Sequence, residues 1–461
     1  MTPPLEAERV LSTLNADGTR HWLRPRLARG RFLRGRRIVG AALIVLFVLL
    51  PRIRIGGRPA LLIDLISREV SAFGAVFRPS DGVVLMLLGL TIVLLVFLVT
   101  ALFGRVWCGW GCPQTVYLEL VFRPIERWLE GSAAQQARLS RFHWRRLTKW
   151  TIYAALSFVL ANVFLAYFVG TERLERWVWG SPLEHLGGFA VVLGVSALML
   201  FDFAYFREQM CIVACPYGRL QTVLLDKQSL IVAYDANRGE PRSKPKTKLP
   251  IVSERGACVD CGACVAVCPT GIDIRKGLQM ECIGCAQCVD ACDTVMDKVG
   301  QPRHLIGYTS SDQLAGKPRK ILRLRTAIYP VLLGVVFALF VWSIGTKPVA
   351  EVWVERITGP SFVDLPDGRV AARVQLKIEN DTDESRGYAI SLVDAPDATL
   401  RSVQVSWRVK ARHSIEVPLF IDLPPSMFTR GKRQVHLRIN DSAGFERIVG
   451  VTLLGPERGT P

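Results

Sequence analysis

The chain has 461 residues, half of them hydrophobic, and its 58 basic and 40 acidic side chains give a formal net charge of +18. From Lys347 to the C-terminus there are 16 basic and 15 acidic residues, so +17 of that charge lies before Lys347. We attribute the excess to membrane topology and to attraction between basic residues and anionic lipids. Nucleic-acid binding is not expected, because no zinc-finger, helix-turn-helix or RNP-like pattern accompanies the charge.

Five nearly uncharged blocks predict five transmembrane helices. They are Ile38 to Pro51, Val83 to Phe103, Trp150 to Gly170, Leu186 to Phe206 and Thr326 to Gly345. The last four blocks reach the length of about 20 residues that a helix needs to cross a bilayer. The first block is shorter and is followed by Arg52 and Arg54, a pattern that also fits a re-entrant or interfacial segment.

Basic residues predict the orientation of these helices. Nine arginines, from Arg9 to Arg37, precede the first block, whereas the loop Thr171 to His185 has only Arg173 and Arg176. The connection between the second and third blocks is also basic, with Arg105, Arg123, Arg127, Arg138, Arg141, Arg145, Arg146 and Lys149. Because cytoplasmic flanks carry such charge, the N-terminus is predicted to be cytoplasmic, which requires the first block to span. We expect a multi-pass protein of the bacterial inner membrane, without a cleavable signal peptide.

Four of the twelve cysteines form an internal repeat beside the membrane. Cys108 and Cys112 precede Pro113 shortly after the second block, and Cys211 and Cys215 precede Pro216 shortly after the fourth. Both blocks run toward the cytoplasm, so both C-x3-C-P elements should lie at the same membrane face. Four thiols there could form a soft site for Cu(I), an additional cluster or a reversible dithiol. The alternative is that these cysteines only pack helix ends, which the duplicated spacing disfavours.

The other eight cysteines form two runs of bacterial ferredoxin type, C-x2-C-x2-C-x3-C. In such runs the fourth cysteine ligates the other [4Fe-4S] cluster. One cluster is therefore assigned to Cys258, Cys261, Cys264 and Cys292, and the second to Cys282, Cys285, Cys288 and Cys268. Two structural zinc sites are the alternative, but zinc ribbons pair C-x2-C knuckles across a longer gap. Asp293 departs from the pattern, because it stands where the second run normally has proline.

Other cofactors are not expected. All six histidines lie outside the cores of the predicted spans, namely His21, His143, His185, His304, His413 and His436. No haem bound by two histidines is therefore expected in the bilayer, and there is no C-x-x-C-H for covalent haem. The chain also lacks a G-x-G-x-x-G opening a helix, so neither flavin nor NAD is expected. All the cysteines lie before the tail, which disfavours a disulfide-stapled secreted domain.

The tail beyond Lys347 alternates apolar and polar residues, as expected for an immunoglobulin-like sandwich of about seven short strands. The alternating sets are Val374, Leu376 and Ile378; Val403, Val405 and Trp407; Ile415, Val417 and Leu419; and Val435, Leu437 and Ile439. Before the ferredoxin runs, Pro241, Pro245 and Pro250 indicate an extended linker.

Together these segments predict seven regions along the chain. They are a basic cytoplasmic segment (1–37), four transmembrane helices with C-x3-C-P elements after the second and fourth (38–206), a cytoplasmic linker (207–252), a 2[4Fe-4S] ferredoxin-like domain (253–300), a basic linker (301–325), a fifth transmembrane helix (326–346) and a periplasmic immunoglobulin-like domain (347–461).

With these motifs the chain resembles the membrane-bound accessory proteins of cytochrome oxidase assembly called CcoG, FixG or RdxA. The resemblance is carried by Phe103 to Val116, which reads FGRVWCGWGCPQTV, by Cys211 to Arg219, and by the paired ferredoxin runs. It implies assembly of a cbb-type oxidase, with Cu(II) reduced to Cu(I) as copper is delivered. Implied partners are oxidase assembly factors or a copper-transporting ATPase, with an unknown electron donor.

Two other functions stay open. Membrane subunits of quinol dehydrogenases, which feed periplasmic nitrate and nitrous-oxide reduction, share the C-x3-C-P elements but lack a sandwich tail. A scaffold in which the outside domain grips oxidase subunits, while the clusters only sense redox state, would need no catalysis.

Overall fold

A computed structural model describes residues 12–456 except 15–16, 18, 67, 79–80, 141–142, 243–255, 321, 347, 356–359, 383, 403–405 and 412. Arg9, Arg141, Pro245, Pro250, Val403 and Val405, which entered the predictions above, lie outside these residues. The chain forms two compact units, Met1–Val341 and Trp342–Pro461.

Helices dominate the first unit. In chain order they are α1 (Arg31–Leu49), α2 (Gly82–Phe103), α3 (Val106–Trp110), α4 (Pro113–Tyr117), α5 (Arg123–Glu130), α6 (Ala133–Arg138), α7 (Trp144–Val169), α8 (Thr171–Trp179), α9 (Leu186–Leu200), α10 (Pro216–Leu224), α11 (Ala236–Gly239), α12 (Ala263–Ala266), α13 (Gln287–Val299), α14 (Ser311–Leu314) and α15 (Leu324–Gly345). Wider π-helical turns occur at Leu118–Phe122, Phe201–Phe206 and Met210–Ala214.

Among the described residues, four helices are long and apolar enough to cross a membrane: Gly82–Phe103, Trp144–Val169, Leu186–Phe206 and Leu324–Gly345. They correspond to the last four predicted blocks, so the chain is a membrane protein. The first predicted span, Ile38 to Pro51, is not confirmed. All but its last two residues lie in α1, which begins at Arg31 and carries four arginines in its first seven residues.

Short strands that the sequence pattern did not reveal connect α1 to α2. Strands β1 (Arg54–Ile55) and β2 (Arg58–Pro59) pair with each other, and β3 (Leu61–Asp64), β4 (Glu69–Ala72) and β5 (Ala75–Phe77) form an antiparallel sheet. β3 packs beside α7, and Arg173 of α8 pairs with Asp64 of β3 at 3.4 Å. These strands are short and mixed in polarity, so they lack the period-2 pattern that identifies a strand.

Two segments expected to be linkers carry regular structure around the ferredoxin runs. Strand β6 (Ile231–Tyr234) pairs antiparallel with β7 (Ile306–Thr309), so residues before and after the two runs close one sheet. Val232 and Tyr234 share a hydrophobic core with the cysteine-bearing segments and with Met296 of α13. The ferredoxin-like fold therefore extends on both sides beyond 253–300.

The second unit is an all-β sandwich. Its strands are β8 (Ala350–Glu355), β9 (Phe362–Asp364), β10 (Val370–Asn380), β11 (Arg386–Leu392), β12 (Thr399–Ser402), β13 (Ser406–Val409), β14 (Ser414–Leu423), β15 (Lys432–Asp441) and β16 (Glu446–Leu454). One sheet has the order β12-β14-β10-β8 with β9 beside β10, and the other has β13-β11-β15-β16.

Alternation along the long strands fills the sandwich core, as the sequence predicts. Leu376 and Ile378 of β10 and Leu437 and Ile439 of β15 are fully buried. The described strands number nine rather than about seven, because β9 and β12 are only three or four residues long. So short a strand shows too little alternation to be recognised from sequence.

Candidate iron-sulfur and thiol sites

The two C-x3-C-P elements have the same local backbone. The second cysteine of each precedes a proline that opens a new helix, α4 or α10, where proline is well tolerated. Its N–H bonds a carbonyl five residues back, Cys112 to Trp107 at 2.9 Å and Cys215 to Met210 at 2.8 Å. The two cysteines of each element therefore lie on either side of a helix break, and the internal repeat extends from sequence to backbone geometry.

The structure brings these four thiols together. Cys108 interacts electrostatically with Cys112 and Cys215, and Cys211 interacts with Cys112 and Cys108. Burial raises the pKa of the Cys108 thiol to about 11, although the nearby Arg105 guanidinium opposes the rise. Burial also raises the pKa of Cys211 to about 12. The uncharged thiol is therefore favoured at neutral pH, and a bound cation would have to displace its proton.

The predicted ligands of the first cluster also lie together. Cys292, from the second run, interacts with Cys264, Cys258 and Cys261 of the first run, and all four line one cavity. Cys258, Cys264 and Cys292 are buried, whereas Cys261 is exposed. Burial raises the pKa of Cys292 to about 12, with further contributions from Cys264 and Asp293.

The predicted ligands of the second cluster form a separate group, in which Cys285 is buried and the other three are half-buried. Cys268 of the first run interacts with Cys282, Cys285 and Cys288. Burial raises the pKa of Cys285 to about 12, and the nearby Arg36 opposes that rise. Cys288 also interacts with Cys264 of the other group, so the two thiol groups are neighbours.

Each group fits a [4Fe-4S] cluster, in which four thiolates ligate the cluster's four irons. No three or more His, Cys, Asp or Glu side chains, among those the structure describes, are arranged to hold one metal ion. When bound, such clusters store and release single electrons.

Several residues that shape these sites were missed by the sequence analysis. Gln221, which is fully buried, accepts a hydrogen bond from the Cys108 thiol at 3.0 Å. Arg105 donates to the carbonyl oxygens of Met280 and Gly218, and so ties both C-x3-C-P elements to the second run. The sequence analysis used Arg105 for orientation and within the family resemblance but gave it no role at the site, and its position three residues before Cys108 was the available signal.

The fold and these thiol groups together define a membrane-bound iron-sulfur protein of the ferredoxin type. Family profiles agree: residues 206–311 match a 4Fe-4S dicluster domain, residues 85–131 a 4Fe-4S binding domain, and residues 340–456 an IG-like fold at the C-terminal of FixG.

Relatives identify the family. Protein RdxA of Cereibacter sphaeroides is 34% identical over 448 residues, covering 92% of this chain and 94% of the relative. Nitrogen fixation protein FixG of Rhizobium meliloti is 32% identical, covering 92% and 91%, and protein RdxB of C. sphaeroides is 37% identical, covering 74% of each. The chain belongs to the FixG/RdxA family. A crystal structure of a FixG-related protein from Vibrio parahaemolyticus aligns with 23% of this chain and 97% of its own, at 16% identity and a TM-score of 0.21.

Proposed function

We propose that this protein reduces Cu(II) to Cu(I) at the C-x3-C-P thiols, with electrons drawn from two [4Fe-4S] clusters in its ferredoxin domain. The Cu(I) product serves the assembly of a cbb-type oxidase, passing to oxidase assembly factors or a copper-transporting ATPase. The observation that supports this most directly is the convergence of Cys108, Cys112, Cys211 and Cys215 beside the second cysteine run.

The chemistry needs one electron per copper ion and no proton-transfer residue. Thiolates bind Cu(I) more readily than Cu(II), so the four thiols favour the product and pull the reduction forward. Copper would displace the protons of Cys108 and Cys211, whose pKa values burial has raised, so copper binding should weaken as pH falls. Burial raises the pKa of Cys112 as well, although the backbone N–H groups of Thr115 and Gln114 at the start of α4 oppose the rise.

The test is anaerobic titration of the dithionite-reduced, desalted protein with Cu(II). Cluster EPR would follow the electrons lost, and a Cu(I)-specific chelator would count the copper reduced. Cys108→Ser/Cys112→Ser and Cys211→Ser/Cys215→Ser should each lower the copper reduction rate and Cu(I) affinity while leaving the cluster signals intact. If both double variants matched the parent protein, the copper site would lie elsewhere. Clusters reduced by quinol and insensitive to Cu(II) would instead favour a quinol dehydrogenase.

We further propose that α1 is a fifth span, with the N-terminus and ferredoxin domain in the cytoplasm and the C-terminal domain in the periplasm. The start of α1 lies beside the ferredoxin domain, where Leu33 N–H donates to Asp290 at 2.8 Å. Its end lies beside the end of α7, where the rings of Phe47 and Tyr167 stack 5.1 Å apart. At about 1.5 Å per residue, the 19-residue helix is about 29 Å long, of which the apolar part from Ile38 to Leu49 covers about 18 Å.

Alkaline phosphatase fusions test this topology, since the enzyme is active only outside the cytoplasm. A fusion at Gly74, between β4 and β5, should be active, and a matched fusion at Ser132, between α5 and α6, should be inactive. An inactive Gly74 fusion would show that α1 does not span.

A further inference from the structure

The first C-x3-C-P element packs against the second cysteine run without room for a side chain. A Cβ atom placed on Gly109 would lie 2.7 Å from the carbonyl oxygen of Ile283 and 2.8 Å from the Cα atom of Cys285. Both distances are shorter than carbon and oxygen atoms tolerate without displacement. Cys108, Ile283 and Cys285 form a small buried cluster at this contact. Glycine therefore permits the close approach of two backbones here.

Polar contacts hold the same interface from both sides. Trp110 Nε1 donates to the Tyr308 hydroxyl at 3.0 Å, and that hydroxyl donates to the Gly284 carbonyl oxygen at 2.6 Å. Arg36, which is buried, donates through Nε to the Gly109 carbonyl oxygen at 2.8 Å. The Gly284 carbonyl on one side of the contact and the Gly109 carbonyl on the other each accept a hydrogen bond, and these bonds fix the register of the interface.

The first cysteine run has a more open environment. Gly262 precedes α12 of that run, and a Cβ placed on it would have nothing within 4 Å, whereas a Cβ on Gly284 of the second run would lie 3.3 Å from the Arg105 carbonyl oxygen. Cys261 is exposed, while its counterpart Cys285 is buried. The second run therefore packs against the first C-x3-C-P element, whereas Cys261 at the matching position of the first run is exposed.

We propose that the contact between Gly109 and Ile283–Cys285 is the route by which electrons leave the ferredoxin domain, and that Gly109 is a positioning residue for this transfer. The inference rests on the proposed copper reduction and adds its path. Cu(II) bound at the thiols would gain one electron and become Cu(I), and a reduced [4Fe-4S] cluster held by Cys282, Cys285, Cys288 and Cys268 would lose that electron. The protons that the thiols release when copper binds would go to solvent. Electron tunnelling weakens exponentially with distance, so the tight backbone contact favours this route. The lost electron is replaced by a low-potential one-electron donor, for which dithionite stands in below.

Gly109→Ala tests the route, with Gly89→Ala as the matched control. Gly89 lies within α2, and a Cβ placed there meets nothing within 4 Å. In Gly109→Ala, Cu(II) should oxidise the pre-reduced protein severalfold more slowly, because the added Cβ pushes the two backbones apart and tunnelling weakens exponentially with distance. Iron content, sulfide content and Cu(I) affinity should match the parent protein. Backbone amide exchange at Ile283–Cys285 should accelerate. Gly89→Ala should change none of these.

The outcomes separate this inference from the function on which it rests. A parent protein that cannot reduce Cu(II) would overturn both. A parent that reduces Cu(II), together with a Gly109→Ala variant that reduces it equally fast, would overturn only the route. Should Gly109→Ala fail to assemble, Trp110→Phe removes the hydrogen bond to Tyr308 without adding an atom at the contact. It should slow copper reduction severalfold with unchanged iron content, and an unchanged rate would again overturn the route.

Discussion

The two cysteine runs have the same spacing but different surroundings. In the first run, Cys261 faces solvent, whereas Cys285 at the matching position of the second run is buried against the first C-x3-C-P element. Spacing therefore determines that each run can contribute to a [4Fe-4S] cluster, but it does not determine which cluster lies nearest the next site. That order is set by residues outside the runs, above all by Gly109 and Arg105.

The runs also differ after their last cysteine. Pro269 follows Cys268, and the chain turns at once, with Gly271 N–H bonding the Cys268 carbonyl at 3.2 Å. Asp293 follows Cys292, and α13 continues through it to Val299. Because proline inside a helix removes a hydrogen bond and clashes with the preceding turn, aspartate is what allows this longer helix.

The largest expected effect comes from removing one ligand of each group. Cys288→Ser should remove the second centre and abolish copper reduction, because the proposed route leaves the ferredoxin domain there. Cys261→Ser should remove the centre held by Cys258, Cys261, Cys264 and Cys292 but retain copper reduction by a single pre-loaded electron. Rapid-freeze EPR after mixing with Cu(II) measures both. Equal loss in the two variants would break the proposed order of the two centres.

The crossed ligand assignment predicts a more selective effect. Cys268→Ser should damage the centre held by Cys282, Cys285 and Cys288, and Cys292→Ser should damage the one held by Cys258, Cys261 and Cys264. In each variant the other three ligands belong to the opposite run, as the electrostatic interactions of these thiols indicate. Iron analysis and EPR of each variant provide the measurement. Damage confined to the mutated residue's own run would contradict the crossover.

The sequence predicted the chemistry of the protein better than it predicted the contacts between residues far apart in the chain. Cysteine spacing, long apolar blocks and the alternation around Leu376 and Leu437 indicated iron-sulfur ligation, a membrane part and a sandwich, because each is a local pattern. The contact of Gly109 with Cys285 joins residues far apart in the chain, and such pairing leaves no local periodicity. The β6–β7 pair was missed for the same reason, since its two strands flank the ferredoxin runs.

Asp293→Pro should erase the difference between the two run ends. Proline in the interior of α13 should destabilise the domain by about 3 kcal/mol, through the lost hydrogen bond and steric clash. Asp293→Ala is the matched control, because it removes only the side chain that accepts a hydrogen bond from His304 N–H at 2.9 Å. The urea concentration at which the iron-sulfur absorbance is half lost should fall far more for proline than for alanine. Equal midpoints would mean that the helix beyond Cys292 contributes little stability.

The smallest expected effect concerns how each run meets the N-terminal segment. α1 begins without a capping side chain of its own, and Asp290 of α13 instead accepts hydrogen bonds from Phe32 N–H at 3.2 Å and Leu33 N–H at 2.8 Å. The matching residue of the first run, Ala266, offers only its carbonyl oxygen, to Arg26 N–H at 2.8 Å.

Asp290→Ala should therefore cost about 1 kcal/mol, as the loss of an N-cap usually does. Asp290→Asn keeps an acceptor but loses the favourable interaction of a negative charge with the helix N-terminus, so it should fall between the parent protein and Asp290→Ala. Amide exchange at Phe32 and Leu33 measures the loss of this cap directly. It should accelerate about fivefold in Asp290→Ala, because a loss of 1.4 kcal/mol corresponds to about tenfold and the expected loss is about 1 kcal/mol. Because Asp290 lies between Cys288 and Cys292, iron content is measured in parallel. Parent-like exchange in Asp290→Ala would show that α1 is anchored by its apolar contacts, and that the cap contributes nothing to joining α1 and the second run.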